Sequence, residues 1–252
     1  MSFLDITDPH VVHKIPEGQQ LVIWHDMRYA ESYDVDLTLG PRADVLFVGY
    51  CPRRLAKKVN IMQYARIEEY AKLQWINVTF GGEVEQMLHC ECVGIHAQSD
   101  VRWIFAACDA EKQALSVKNT FSNAEGRGNI LMKGIAEDTA HIHCRGFIDI
   151  GFNARGTDAY LTQNVLMLDS TAKIDAVPGL EIKTNDVKAS HSATVSRMNP
   201  EDLFYFSSRG IEKGAARAMV TEGFLRSAWE SLKHAQVRDH LQKNLDRYLY
   251  SR

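Results

Sequence analysis

Three short stretches hold side chains able to ligate a metal or move a proton. In HCEC, Cys90 and Cys92 stand two apart. In AHIHCRG, His141 and His143 stand two apart, with Cys144 beside them. In ASHSATVSR, His191 shares a row with Val187, Ala189, Ala193 and Val195, while Ser190, Ser192, Thr194 and Ser196 take the alternate places. Side chains two apart share one face of a strand, about 7 Å along it. His141 and His143 could therefore grip one ion, with Cys144 the nearest further ligand. No third ligand follows at a fixed spacing, and two solvent-facing histidines are the plainer reading. Cys90 and Cys92 lack a C-x-x-C partner and read as small buried hydrophobes. Cys51 and Cys108 belong to no constellation. His191 is different. A neutral imidazole can ligate a metal, and an apolar row would hold it neutral by desolvation. The competing reading is a core histidine bonded to a neighbouring carbonyl. Asp158 and Asp169 invite an acid–base reading, with turn aspartates as the ordinary explanation. No Walker loop or glycine-rich nucleotide motif occurs, so the chain itself is not expected to bind ATP.

The elements that must hold these residues are mostly strands. From Gln20 onward short alternating runs follow one another: LVIWHD, YDVDLTL, DVLFVGY, LQWINVTF, QMLHCECVGI, DVRWIFAAC, ALSVKNTF, NILMKGI, AHIHCRGFIDI, YLTQNVLML, GLEI and VKASHSATV. Their separators are rich in Gly, Asn, Asp and Pro. The exception is a short helical turn read at ARIEEYAKL. Many strands at short spacing fit a sandwich, a barrel or a solenoid. A small alanine recurs at Ala140, Ala159, Ala176 and Ala189 beside polar turn residues, at spacings of 19, 17 and 13. Stacked rungs place small residues where the backbone turns, so the expected fold is mainly β, a right-handed parallel β-helix.

After Arg197 the pattern changes to helix. Asn199 suits an N-cap, Pro200 the first helical position, and Glu201 and Asp202 the positive end of the dipole. Arg209-Gly210 ends that helix. A second begins near Glu212, with rows at spacing four through Ile211, Ala215, Met219 and Gly223 and through Val220, Phe224 and Ala228. A third carries Val237, Leu241, Leu245 and Leu249. The chain divides into a β-helix over residues 1–197 and a helical region over 198–252.

Composition narrows the function classes. With 252 residues and a net charge of −3, the chain can bury a sizeable core and offers no basic field for nucleic acid. No run approaches the roughly 18 apolar residues that span a bilayer. The start, MSFLDITDPH, lacks a cationic flank and an apolar h-region. Five cysteines form no framework. A cytoplasmic protein is expected.

The stretch PGLEIKTNDVKASHSATVSRMNPEDLFYFSSRGIEKGAARAMVTEGFL, residues 178–225, resembles the SufB/SufD family of iron–sulfur cluster assembly proteins. The family pattern is similar to P-x-LEI-x-x-DDV-x-x-HGATVG, then Leu-Phe-Tyr, SRGI and G-F. Upstream, GFIDIGFNARGTDAYLTQNVLML resembles the family's penultimate rungs. The clear match runs over roughly residues 130–230, and residues 1–60 are shorter than the family's N-terminal region. The resemblance implies a non-enzymatic scaffold with a parallel β-helix and C-terminal helices. It implies pairing through the β-helix, with itself or a SufB-type scaffold, and docking of a SufC-type ABC ATPase on the helices. A transient iron–sulfur cluster would be the cargo, and sulfur-donor proteins are further candidate partners. His191 matches the family's interface histidine. Gln163 stands where SufB-type members carry a scaffold cysteine, and Ser192 where they carry a Glu, so the chain is SufD-like at both places. Tyr205, Phe206, Arg209 and Phe224, with Trp229, become candidates for the ATPase contact. From other classes, a β-helix enzyme acting on polysaccharide and a purely structural β-helix remain.

Overall fold

The computed structural model describes residues 2–52 and 57–250; the side chains of Pro200 and Asp202 lie outside the described part, and with them the dipole role expected of Asp202. Its strands are β1 (Ser2–Ile6), β2 (His10–Ile15), β3 (Gln20–Asp26), β4 (Ser32–Leu39), β5 (Asp44–Pro52), β6 (Val59–Ile67), β7 (Lys72–Phe80) and β8 (Val84–Cys92). They continue as β9 (Gln98–Ala107), β10 (Lys112–Phe121), β11 (Arg127–Ala136), β12 (His141–Ile150), β13 (Thr157–Met167), β14 (Lys173–Ile182) and β15 (Val187–Arg197). Odd strands form one sheet in the order β1-β3-β5-β7-β9-β11-β13-β15, and even strands the other, from β14 to β2. All pairings are parallel, so each turn adds one strand to each sheet: a parallel β-helix, as expected.

Register explains the loose alanine period. Val11 pairs with Val35, 24 residues on, and His141 pairs with Lys173, 32 residues on. The recurring alanines therefore mark half-turns. Ala159 stacks under Ala189, and Ala176 beside Cys144. The segment read as a helical turn is the end of β6, a turn and the start of β7. Ala65 and Ile67, then Ala71 and Leu73, alternate into the core, and that burial overrides the local helix propensity of ARIEEYAKL. β1, β2 and β6 were not legible as separate runs.

The lumen between the sheets is close-packed, with Leu37, Phe47, Trp75, Trp103, Phe105, Leu115, Ile142 and Leu161 fully buried or nearly so. Gly134 lets the Phe105 ring approach; a Cβ there would stand 2.0 Å from Phe105 Cε2. Buried polar groups bond to each other. Asn77 Nδ2 donates to Gln63 Oε1 (2.8 Å), Thr79 Oγ1 to Gln86 Oε1 (2.8 Å), and Trp75 Nε1 to Asn77 Oδ1 (2.9 Å). At one corner Gly18, Arg42, Tyr70, His96, Glu125 and Gly156 all take left-handed backbone. Each N–H there donates to a carbonyl of the following turn, at 2.7–3.0 Å, and that commitment fixes the conformation even without glycine.

Helices α1 (Pro200–Ser208), α2 (Lys213–Arg226) and α3 (Ala235–Tyr250) follow. The Asn199 side chain accepts from Glu201 N at 3.0 Å, and Gly210 turns left-handed after α1. The helices do not cover the open end of the β-helix. α2, α3 and the segment between them lie along the outer face of the odd-strand sheet, where Leu46, Val48, Tyr50, Ile76, Phe80 and Ile104 pack on Leu225, Trp229, Val237, Leu241 and Leu245, and α1 packs against α2. On α2 the buried residues are Ala216, Thr221 and Leu225, while Met219 is exposed. The sheet's apolar flank selects that row, which is not the one through Ala215 and Met219.

Candidate functional site

β15 positions His191. Its partner in register is Leu161 on β13, a core residue, so the imidazole has inward parity. Yet His191 is exposed, with Ala193 and Val195 beside it. The reason is topological: β15 is the last strand of its sheet, and no further turn stacks on it. Neither the desolvation expected from the apolar row nor the buried core-histidine arrangement exists in the single chain. Ser192 pairs with Thr162 and has the opposite parity, away from His191.

Gln163 lies on β13 beside Ala193, fully buried in the lumen. Its Nε2 donates to the Cys144 carbonyl (3.1 Å) and contacts Met132 Sδ (3.3 Å), while Oε1 has no partner among the described residues. His191 and Gln163 thus face the same interior from adjacent strands, one at the open end and one a layer beneath.

The remaining ligand candidates separate. His143 and Cys144 are consecutive on β12 and point to opposite faces, so they cannot hold one ion together. Cys144 is buried in the lumen, where burial and the charge of Asp175 push its thiol up to about 12. Burial likewise pushes Cys51 and Cys90 to about 12. All five cysteines are buried, and burial raises Cys51, Cys90, Cys92 and Cys144 so that these four are thiols rather than thiolates at neutral pH. On the outer face, His141 Nε2 meets Asp175 Oδ2 at 2.7 Å and His143 Nδ1 stands 4.0 Å from the same oxygen. That hydrogen bond from His141 lowers the Asp175 pKa. Among the described residues, no group of three or more His, Cys, Asp or Glu side chains is arranged to hold a metal. Asp158 is the second residue of β13 and Asp169 lies just beyond its far end, so at about 3.3 Å per strand residue they stand roughly 30 Å apart and cannot work as a carboxylate pair.

In the helical region Tyr205 is 57% exposed and Phe204, which was not among the candidate partner contacts, 74%. Arg209 lies with its guanidinium 5.4 Å from the Tyr205 ring centroid, and Tyr205 and Phe206 meet edge to face. Phe204, Tyr205 and the C-cap residue Arg209 are exposed and Phe206 is half-buried, on a helix, α1, that packs against α2. Phe224 is apart from them. It is half-buried on the sheet with Lys133 Nζ 4.4 Å from its ring centroid, and Trp229 is buried under the helices.

Three cations that the sequence reading passed over hold this platform. Arg102 Nη1 donates to the Ala228 carbonyl (2.7 Å) and to Ser231 Oγ (2.9 Å), and Lys133 Nζ donates to Ser227 Oγ. Arg217 on α2 pairs with Asp169 and with Glu137 (3.0 Å). For Arg102 on β9 and Lys133 on β11 the signal available was a charge at the outward parity of a strand rich in apolar residues.

The sequence model described as the SUF system FeS cluster assembly, SufBD core domain, matches residues 43–224, from the start of the β5 turn to α2. The chain belongs to the SufB/SufD family. Among its relatives, an iron–sulfur cluster assembly SufBD family protein of Mycobacterium leprae is 28% identical over 166 residues, covering 66% of this chain and 19% of that protein. One from Mycobacterium tuberculosis is 29% identical over 195 residues, 74% of this chain and 49% of the relative. The SufD assembly protein of Escherichia coli is 38% identical over 103 residues, 41% of this chain and 24% of that one. The chain thus spans from a fifth to a half of these SufB/SufD relatives.

Proposed function

We propose that the chain is a scaffold subunit for iron–sulfur cluster assembly, pairing through the last turns of its β-helix and docking an ABC-type ATPase on its C-terminal helices. The observation that carries the reading is the bare final turn. β14 and β15 are terminal in their sheets, Val187 and Ala189 are only partly buried, and Val195 is 45% exposed. An uncovered parallel edge is a template for a second chain, and a two-fold or pseudo-two-fold pairing would satisfy it. Pairing would then take His191 out of water beside the partner, where a neutral imidazole can ligate iron of the cargo cluster. The lumen residue below it, Gln163, offers an amide and no soft ligand. A SufB-type partner supplying a cysteine fits that arrangement better than a homodimer, and the likeness to SufD supports it. The exposed Phe204, Tyr205 and Arg209 supply anchors for the ATPase.

The test is purification of the full chain alone and with cognate SufB-type and SufC-type proteins, followed by light scattering and anaerobic cluster reconstitution. A stable complex that forms an oxygen-sensitive cluster is expected. A monomer at micromolar concentration that retains neither partner would overturn the reading.

A further inference from the structure

We propose that the cleft between the α2–α3 connection and the first halves of β5, β7 and β9 binds a small anion through a phosphate group. The outer face of the odd-strand sheet is apolar under the helices and turns polar toward the strand starts. Residues 231–234 cross that polar part and leave a cleft of about 310 Å³, within the size range of small-ligand sites. Lys72, Arg102, Lys233 and His234 line it, with Asp44 and Asp100.

Arg102 gives the cleft a fixed donor. Its Nη1 is committed to the Ala228 carbonyl and Ser231 Oγ, which sets the guanidinium plane. Among the described residues its Nε and Nη2 make no hydrogen bond, so an oriented fork remains to be used. Such a fork matches two oxygens of a phosphate group, and ammonium groups beside it add charge without demanding geometry. The side chains of Lys72 and Lys233 make no hydrogen bond or ion pair among the described residues. Of the two carboxylates, Asp100 already accepts from Asn129 N (3.1 Å) and Asn129 Nδ2 (3.0 Å) through Oδ1. Three permanent cations thus face two acids, one of them engaged, in a partly enclosed space where attraction exceeds its value in open water. Burial pulls the Arg102 pKa down, with Asp100 opposing, so an anion in the cleft would relieve a desolvated charge.

The test is calorimetric titration of the full-length protein at low salt with inorganic pyrophosphate and, separately, with adenosine diphosphate. Binding of pyrophosphate supports a site for the free anion. Binding of the nucleotide alone supports a site for a phosphate on an organic carrier. In either case the Lys72→Ala/Lys233→Ala double variant should bind roughly tenfold or more weakly, and added salt should weaken the wild type. Both lysines are exposed, so the variant should keep the wild-type melting curve; Lys243→Ala, on α3 but outside this cleft, should bind as wild type. No binding of either probe at about 1 mM, or equal binding by wild type and the double variant, would overturn the proposal.

Discussion

His25 is fully buried against the rings of Tyr33 and Phe47, with Nε2 on the Asp8 carbonyl at 2.9 Å and Nδ1 unpartnered among the described residues. Burial lowers its pKa, and the Asp8 carbonyl and the charge of Asp26 only partly oppose this. The folded chain therefore keeps the ring neutral where the unfolded chain protonates it, below about pH 6.5. Stability from this group is complete above that pH and declines as pH falls toward the lowered folded value. His25→Gln should flatten the melting temperature across that window, read by circular dichroism at a series of pH values. At the open end the expectation reverses. His191 is exposed, so His191→Ala should leave the melting temperature nearly unchanged while reducing cluster formation in a complete anaerobic assembly reaction. A variant that unfolds would contradict the exposed placement. Gln163 lies between these cases. Gln163→Leu removes both its hydrogen bond and its orphaned oxygen, and should change stability by less than about 1.5 kcal/mol. Gln163→Glu puts an ionisable group in the same dry site and should cost several kcal/mol at neutral pH. Urea unfolding of the two variants measures the contrast.

α2 is pinned to a column of turn carboxylates. Asp109 N donates to Asp138 Oδ2 (3.0 Å), Asp138 N donates to Asp169 Oδ2 (2.9 Å), and Arg217 closes the column. The hydrogen bond from Arg217 holds the Asp169 pKa below the usual carboxylate value. Its stabilisation is therefore present above about pH 3.9 and lost as pH falls through the depressed value. Arg217 is about a fifth exposed, between the surface and buried limits for ion pairs. Arg217→Met should cost about 1–3 kcal/mol. Hydrogen exchange should quicken in α1 and α2 before the β-helix strands. Uniform quickening throughout would show that the pair matters to the fold as a whole and not to helix docking. On α1, Phe204 and Tyr205 are mostly in water, so Phe204→Ser with Tyr205→Ser should spare the melting curve and weaken retention of the ATPase. Unchanged retention would remove α1 from the proposed contact.

For the whole molecule the helices and the odd-strand sheet share a second core. A chain cut near Arg197 would bare Leu46, Val48, Tyr50, Ile76, Phe80 and Ile104 together, a patch of the kind that drives association. Such a truncation should aggregate or bind an apolar dye, so loss of partner binding by it would say nothing about α1. Point substitutions on α1 are the cleaner probe. Pairing belongs to the same scale. Val195→Asp places a charge on the bare final strand, and light scattering should report loss of the paired species with the circular dichroism spectrum intact. A mass equal to that of the wild-type pair would move the interface elsewhere.

Strand existence was written in local alternation, because a side chain's face on a strand depends only on parity; VKASHSATV and AHIHCRGFIDI are legible for that reason. The cap at Asn199 and the stop at Gly210 are equally local. The family resemblance was carried by the residues from 178 to 225, which are also local text. Stacking order was not local. Parity gave His191 an inward side chain, and only the absence of a turn above β15 left that side chain in water. Spacing of four residues likewise marked Met219 and Ala215 as one row of α2. Which row faces inward was decided by a flank of six strand residues, gathered from turns 28 and 26 residues apart in the chain. The same applies to Arg102, Lys133 and Arg217. Each is an ordinary charge in the sequence, and each gains its role from a partner some fifty or more residues away, because the energy of an ion pair or a buried contact depends on distance through space.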